Sequence, residues 1–175
     1  TYGDSNDGGS WCKCKPIQEI EAVTTQNNTS NRNLKRACKM LRSWKDANGA
    51  PLGGMLIDTL AYGFFKSTTA YDSKSYSSYP ELVRDVFAHL ANLPEQDYWL
   101  APGSNQRVDC TGKFQRKAKK AAAKCQEALD ADTENKKVKL WQEVFGTRFF
   151  PSGASEERAY KAAATFRQTE DFIED

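Results

Sequence analysis

Residues 33–65 constrain the fold of this chain more than any other stretch. Leu34, Ala37, Cys38, Leu41 and Trp44 recur at steps of three and four, which places them on one stripe of an α-helix. Lys35, Arg36, Lys39, Arg42 and Lys45 crowd the rest of that helix with positive charge. Asn48-Gly49 ends it, because Gly accepts the left-handed conformation that a helix C-terminus favours. Ala50-Pro51-Leu52-Gly53-Gly54 is a tight connection, and residues 55–65 read as a second, more apolar helix. The product is an αα-hairpin whose Gly-Gly turn lets a ligand approach the backbone closely.

The remaining chain is organised around that hairpin. Residues 1–16 read as an irregular lead-in, with Gly8-Gly9 among Asp, Asn and Ser, until Pro16 opens a helix. Residues 17–25 predict a short helix with Ile17, Ile20 and either Val23 or Thr24 inward, followed by a polar turn over 26–31. Residues 67–79 form a linker without a period. From Pro80-Glu81, Leu82, Val83, Val86, Phe87, Leu90 and Leu93 keep helical spacing as far as Pro94. Residues 95–112 read as a long loop, of the kind that usually covers something or carries function. Its Tyr98-Trp99 pair is better suited to packing than to base stacking.

Residues 113–131 give the clearest helix. Phe114, Ala118, Ala121, Ala122, Cys125, Ala128 and Leu129 line one face; Lys113, Arg116, Lys117, Lys120 and Lys124 line another. A further helix over 135–145 ends at Gly146, and Ser155 with Glu156 and Glu157 opens a last one towards Asp175. β-branched alternation is nowhere sustained and no internal repeat is found. The fold class is all-α, with roughly six or seven helices around the central hairpin.

A chain of 175 residues suits one domain that buries roughly two-thirds of its unfolded surface. The net charge of +2 says little about partners, but its distribution says more. Residues 32–45 hold six basic side chains and no acidic one, whereas 156–175 hold six acidic against three basic. A positive face on a near-neutral protein fits a small polyanion such as a nucleotide better than a long duplex. Apolar runs fall well short of a membrane span, and no charged-then-apolar leader opens the chain, which begins at Thr1. Five cysteines, two of them (Cys38 and Cys125) on apolar helix faces, suit reduced thiols in a cytoplasm. Cys12-x-Cys14 has no second pair at zinc spacing. The single histidine, His89, excludes a two-His metal site and suits a structural place.

LKRACKMLRSWK followed by GGMLIDTLAYGF resembles the start of the helical lobe in the bacterial CD-NTases. These are the cyclic-oligonucleotide synthases of anti-phage defence, related to the oligoadenylate synthetases and to the animal cyclic GMP-AMP synthase. TYGDSNDGGSW, WLAPGSNQR, the Lys/Ala-rich helix and WQEVFGTRFFP resemble the same lobe in the same order, so the likeness covers most of the chain. It implies a C-terminal helical nucleotide-binding lobe over 17–175, with 1–16 leading in from an upstream catalytic core. The whole enzyme would join nucleoside triphosphates of the ATP/GTP class into a cyclic di- or trinucleotide messenger and release pyrophosphate.

In that family Mg2+ or Mn2+ is held by carboxylates that follow a Gly-Ser turn. Gly9-Ser10 and Gly103-Ser104 lead into no spaced Asp pair on a strand, so no catalytic residue and no metal ligand is expected here, and the chain alone should be silent. The lobe's share of the pocket includes a Lys that reaches the triphosphate. Its position falls on Arg42, a departure that keeps the charge and asks for different space. Lys39, one turn earlier, can share the role. The small-residue position at the next helix start falls on Gly53 and Gly54, where backbone N–H groups suit phosphate. Gly8-Gly9-Ser10-Trp11 resembles the GGSW segment that runs beside the nucleotide, which adds Ser10. Beyond it Cys12-Lys13-Cys14-Lys15 departs from the commoner Lys-Thr-Thr-Asn.

Residues 165–175 resemble the lead into an appended sensor domain of some members. The cysteines and the short apolar runs together suit a cytoplasmic protein off membranes, and nucleic acid is not required as a partner. Lys39 and Arg42 equally suit a solvated helix surface, and the competing function is a non-enzymatic helical module that binds RNA or a protein through the 113–124 stripe.

Overall fold

The structure, a computed structural model, describes residues 15–148 and the backbone of two short strands, Tyr2–Asp4 (β1) and Ser10–Cys12 (β2). The helix expected from Ser155 onwards lies outside the described residues, as do Gly8, Gly9 and the 165–175 segment. Six α-helices follow among the described residues: α1 Pro16–Thr29, α2 Asn33–Asn48, α3 Gly54–Ser67, α4 Tyr79–Asn92, α5 Gln115–Leu129 and α6 Glu134–Phe145. The all-α class holds.

Two departures are small ribbons. β1 and β2 pair antiparallel with Gly3 opposite Trp11, so the lead-in is not irregular throughout. Inside the predicted 95–112 loop, β3 (Tyr98–Leu100) pairs antiparallel with β4 (Arg107–Asp109), Trp99 opposite Val108. Trp99 and Val108 turn towards the core while their neighbours face out. The alternation is genuine but lasts three residues per strand, too few to read as a period.

The hairpin behaves as its spacing dictates. Leu34, Ala37, Cys38, Leu41 and Trp44 are all buried, as are Leu56, Ile57, Leu60, Ala61, Phe64 and Phe65 from α3. Gly49 adopts the left-handed conformation (φ 59°), and Ala50 N–H donates to Lys45 O at 3.2 Å. The carbonyls left over at the C-terminus of α2 are taken by Lys117 Nζ, which donates to Asn48 O (2.6 Å) and Gly49 O (2.9 Å). A cation there also suits the helix dipole. α4 lies along α5, and both close over the hairpin, so that Leu82, Val83, Val86, Phe87, Leu90, Phe114, Ala118 and Cys125 complete one core. Burial pushes the Cys125 thiol up to about 12, which makes it an inert packing residue. His89 stands edge-on to Phe64 at 5.5 Å, and partial burial lowers its pKa: a structural place.

α1 corrects the sequence reading twice. It runs on to Thr29, through the first four residues of the turn expected at 26–31, because Gln26 and Asn27 are interior links rather than turn residues. Gln26 Nε2 donates to Phe65 O (3.0 Å), and Asn27 Oδ1 accepts from the Lys35 N–H (3.0 Å). The helix then breaks at Asn31 and Arg32, both at positive φ, and Asn33 Nδ2 ties α2 to Tyr71 O and Lys74 O. The second correction concerns its inward face. Ile17 and Ile20 are 70% and 63% exposed, because α1 presents Glu19 and Ala22 to the tip of the β3–β4 ribbon. Val23 is the predicted position that packs on the core.

Candidate functional site

The exposed side of α2 carries Lys39 and, one turn on, Arg42. Their spacing of three puts both on one face of the helix. Across the hairpin, Asp58 stands one turn inside α3, and Arg42 Nη2 donates to both of its carboxylate oxygens at 2.7 Å. The pair is partly open to solvent, with side chains 42% and 33% exposed. Behind it lies the buried Cys38 thiol, held in its protonated form by burial first and by the Asp58 carboxylate second.

Only Nη2 is engaged by the carboxylate. Nε and Nη1 donate to no carboxylate or carbonyl among the described residues. The guanidinium also meets the Cys38 thiol beside it, so Arg42 is a partly used fork rather than a free cation. The Lys39 ammonium is exposed and has no ion-pair or hydrogen-bond partner among the described residues, an uncompensated charge that it shares with Lys35 one turn earlier. The two roles divide by chemistry: a directed donor at 42 and a mobile point charge at 39.

The start of α3 completes the arrangement. Gly53 caps the helix with extended backbone (φ −73°), and Gly54 is its first residue. Nothing lies within 4 Å of where a Cβ would sit on either glycine. Neither backbone conformation nor packing asks for glycine here; open approach does. No side chain caps this end, and no acidic residue lies in its first turn, so its leading N–H groups keep their donors for a ligand. Substituting Gly54 with Ala should raise folding stability by about 0.4–1 kcal/mol, since the site accepts a Cβ without strain. ATP binding should weaken in the same variant, and denaturant titration beside calorimetric binding would separate the two effects.

The fifth predicted residue, Ser10, has its backbone in β2 opposite Asp4. Its side chain lies outside the described residues. The structure thus brings Lys39, Arg42, Gly53 and Gly54 onto one hairpin. Asp58 is the residue that sequence reasoning missed. Its signal was available: it is the one acid in α3, and it lies as far after the turn at Ala50 as Arg42 lies before it. In a helical hairpin such positions face each other.

The alternative surface fares differently. Of the basic residues along 113–124, Lys113 pairs with Glu95 at 2.5 Å, Lys124 pairs with Glu143 at 2.7 Å, and Lys117 caps α2. Arg116, Lys119 and Lys120 remain exposed without an ion pair among the described residues. Beside them a crevice of about 300 Å³ between α2, α5 and α6 is lined by Trp44, Asn48, Lys120 and Glu143. Among the described residues there is no group of three or more His, Cys, Asp or Glu placed to hold a metal ion, and no helix long and apolar enough to cross a membrane.

No protein-family model matches the chain, and no solved structure matches it. It is 25% identical over 162 residues to the cyclic AMP-AMP-AMP synthase of Acinetobacter sp. (strain ATCC 27244 / 9458). That alignment covers 87% of this chain and 47% of the synthase, so the chain spans about half the length of the curated relative it matches. Distant homology to a cyclic trinucleotide synthase supports a CD-NTase relationship.

Proposed function

We propose that this chain is the helical nucleotide-binding lobe of a cyclic-oligonucleotide synthase, and that the α2–α3 hairpin forms half of a nucleoside triphosphate pocket. The observation that carries this reading is the conjunction on one hairpin. Lys39 without a partner among the described residues, a guanidinium at Arg42 that gives its carboxylate partner one nitrogen, and an uncapped, unobstructed Gly53-Gly54 helix start all stand on the α2–α3 hairpin. Each part alone is ordinary on a helical surface. Together they present a point charge, a directed fork and backbone N–H groups, which are the complements of a polyphosphate.

The whole protein would join nucleoside triphosphates of the ATP/GTP class into a cyclic di- or trinucleotide for anti-phage signalling in the cytoplasm. In that setting the β2 segment with Ser10 would run beside the nucleotide, leading in from the catalytic core. Mg2+ or Mn2+ would be held by carboxylates of that core; the residues described here offer no ligand set for it. When bound, the metal would supply alignment and charge neutralisation for the attacking hydroxyl and the triphosphate. This lobe's own work is to bind and orient: Lys39 gathers the phosphates, Arg42 fixes their direction and the start of α3 donates N–H groups to them.

The 113–124 stripe as an RNA- or protein-binding face is the weaker reading, because three of its cations already have partners within the chain, at Glu95, at Glu143 and at the C-terminus of α2. Titration of ATP into the intact protein tests the choice. Arg42→Ala should weaken binding by about 1.5–3 kcal/mol, the range for a hydrogen bond to a charged group, with little change in folding. Lys39→Ala should weaken it less and flatten its salt dependence. Full affinity in both variants would remove the hairpin from the nucleotide site.

A further inference from the structure

We propose that Asp58 is a positioning residue for Arg42, one that holds the guanidinium by Nη2 and so aims Nε and Nη1 at the phosphate. The inference rests on the reading of the α2–α3 face as a triphosphate site. Its basis is the geometry of the pair: a single nitrogen donates to both carboxylate oxygens at 2.7 Å, from one arm of the hairpin to the other. A long arginine on an exposed helix face samples many rotamers. One fixed at its tip by a residue of the facing helix does not.

Asp58 also acts in the opposite sense, since its charge repels a phosphate. Two facts decide which effect wins. The carboxylate is a third exposed, so water and salt screen its repulsion, whereas the orientation it imposes is not screened. In addition, Arg42 has donors left over on other nitrogens, so holding Asp58 does not exhaust it.

A lysine in the same place has one nitrogen, and Asp58 would hold its charge back from the ligand. On the sequence alone Lys is an adequate replacement for Arg42. The ion pair removes that expectation, because the residue type at 42 is coupled to the acid at 58.

The experiment titrates ATP and AMP separately into the intact protein and its variants, with thermal unfolding measured alongside. Asp58→Ala should weaken ATP binding by about ten-fold, at the lower end for one charged hydrogen bond, and leave AMP binding nearly unchanged. The double variant Arg42→Ala/Asp58→Ala should bind ATP no worse than Arg42→Ala, since Asp58 acts through Arg42. Arg42→Lys should bind ATP poorly, and Arg42→Lys/Asp58→Asn should recover.

Three results would overturn the inference. If Arg42→Ala weakens ATP binding while Asp58→Ala leaves it equal or tighter, Asp58 only repels phosphate and the nucleotide site survives without a positioning role. If Asp58→Ala lowers the unfolding temperature and weakens ATP and AMP alike, Asp58 only braces the hairpin. If Arg42→Ala changes neither ligand, the nucleotide face itself fails and the role of Asp58 goes with it.

Discussion

Trp44→Ala should cost about 3–5 kcal/mol of folding stability, the usual range for deleting a large buried aromatic side chain. Trp44 is 1% exposed, and its ring stands 4.9 Å from that of Phe87 at 59°, where α2 meets α4. The indole therefore joins the hairpin to the helix pair that closes over it. Alanine at 44 would leave a cavity lined by Phe87 and its neighbours in the single large core. Small domains have about 5–15 kcal/mol in total, so the variant should sit near the limit of folding. Guanidinium unfolding followed by far-UV dichroism measures the effect, with Trp44→Phe as the milder companion. A midpoint that barely moves would mean that α2 does not turn this face inward.

Gly103→Ala is the second large effect expected, at about 3 kcal/mol. Gly103 lies at φ +72°, a region that costs an alanine about 1–2 kcal/mol. The added Cβ would also lie 2.3 Å from the backbone carbonyl oxygen of Gln18 and 3.0 Å from Ala22 Cβ, so ribbon and α1 must move apart. Overpacking of that kind adds about 1–3 kcal/mol. Separation would strain the hydrogen bond from Ser104 Oγ to Glu19 Oε1, now 2.6 Å. Chemical denaturation checks the magnitude, and hydrogen exchange should show amides near 18–22 opening first. Wild-type stability in this variant would contradict the close seating of the ribbon on α1.

What could be read in the sequence follows the range of the interactions. The α2 and α5 faces were legible because their apolar residues repeat at helical spacing over four turns, and every α2 position so assigned is buried. The β3–β4 ribbon was not, because each strand supplies one inward residue, Trp99 or Val108. α1 misled in both directions. Its isoleucines stay exposed, while its buried positions include Gln26 and Asn27, whose amides serve the backbone of α3 and α2. Polarity marks a turn only when the polar groups meet water; here they meet other chain segments. At the candidate site, the cations and glycines could be read singly. The Arg42–Asp58 pair needs the hairpin closed before it exists.

Hydrogen exchange of the intact protein with and without ATP tests the central claim most directly, because it reads which face the nucleotide covers. The account predicts slowed exchange in the last ten residues of α2, from Lys39 onwards, and at the start of α3 from Gly54 to Asp58. Residues 116–124 of α5 should exchange as before. Protection along 116–124 with no change between 39 and 58 would contradict it, and would move the binding surface to the basic stripe of α5.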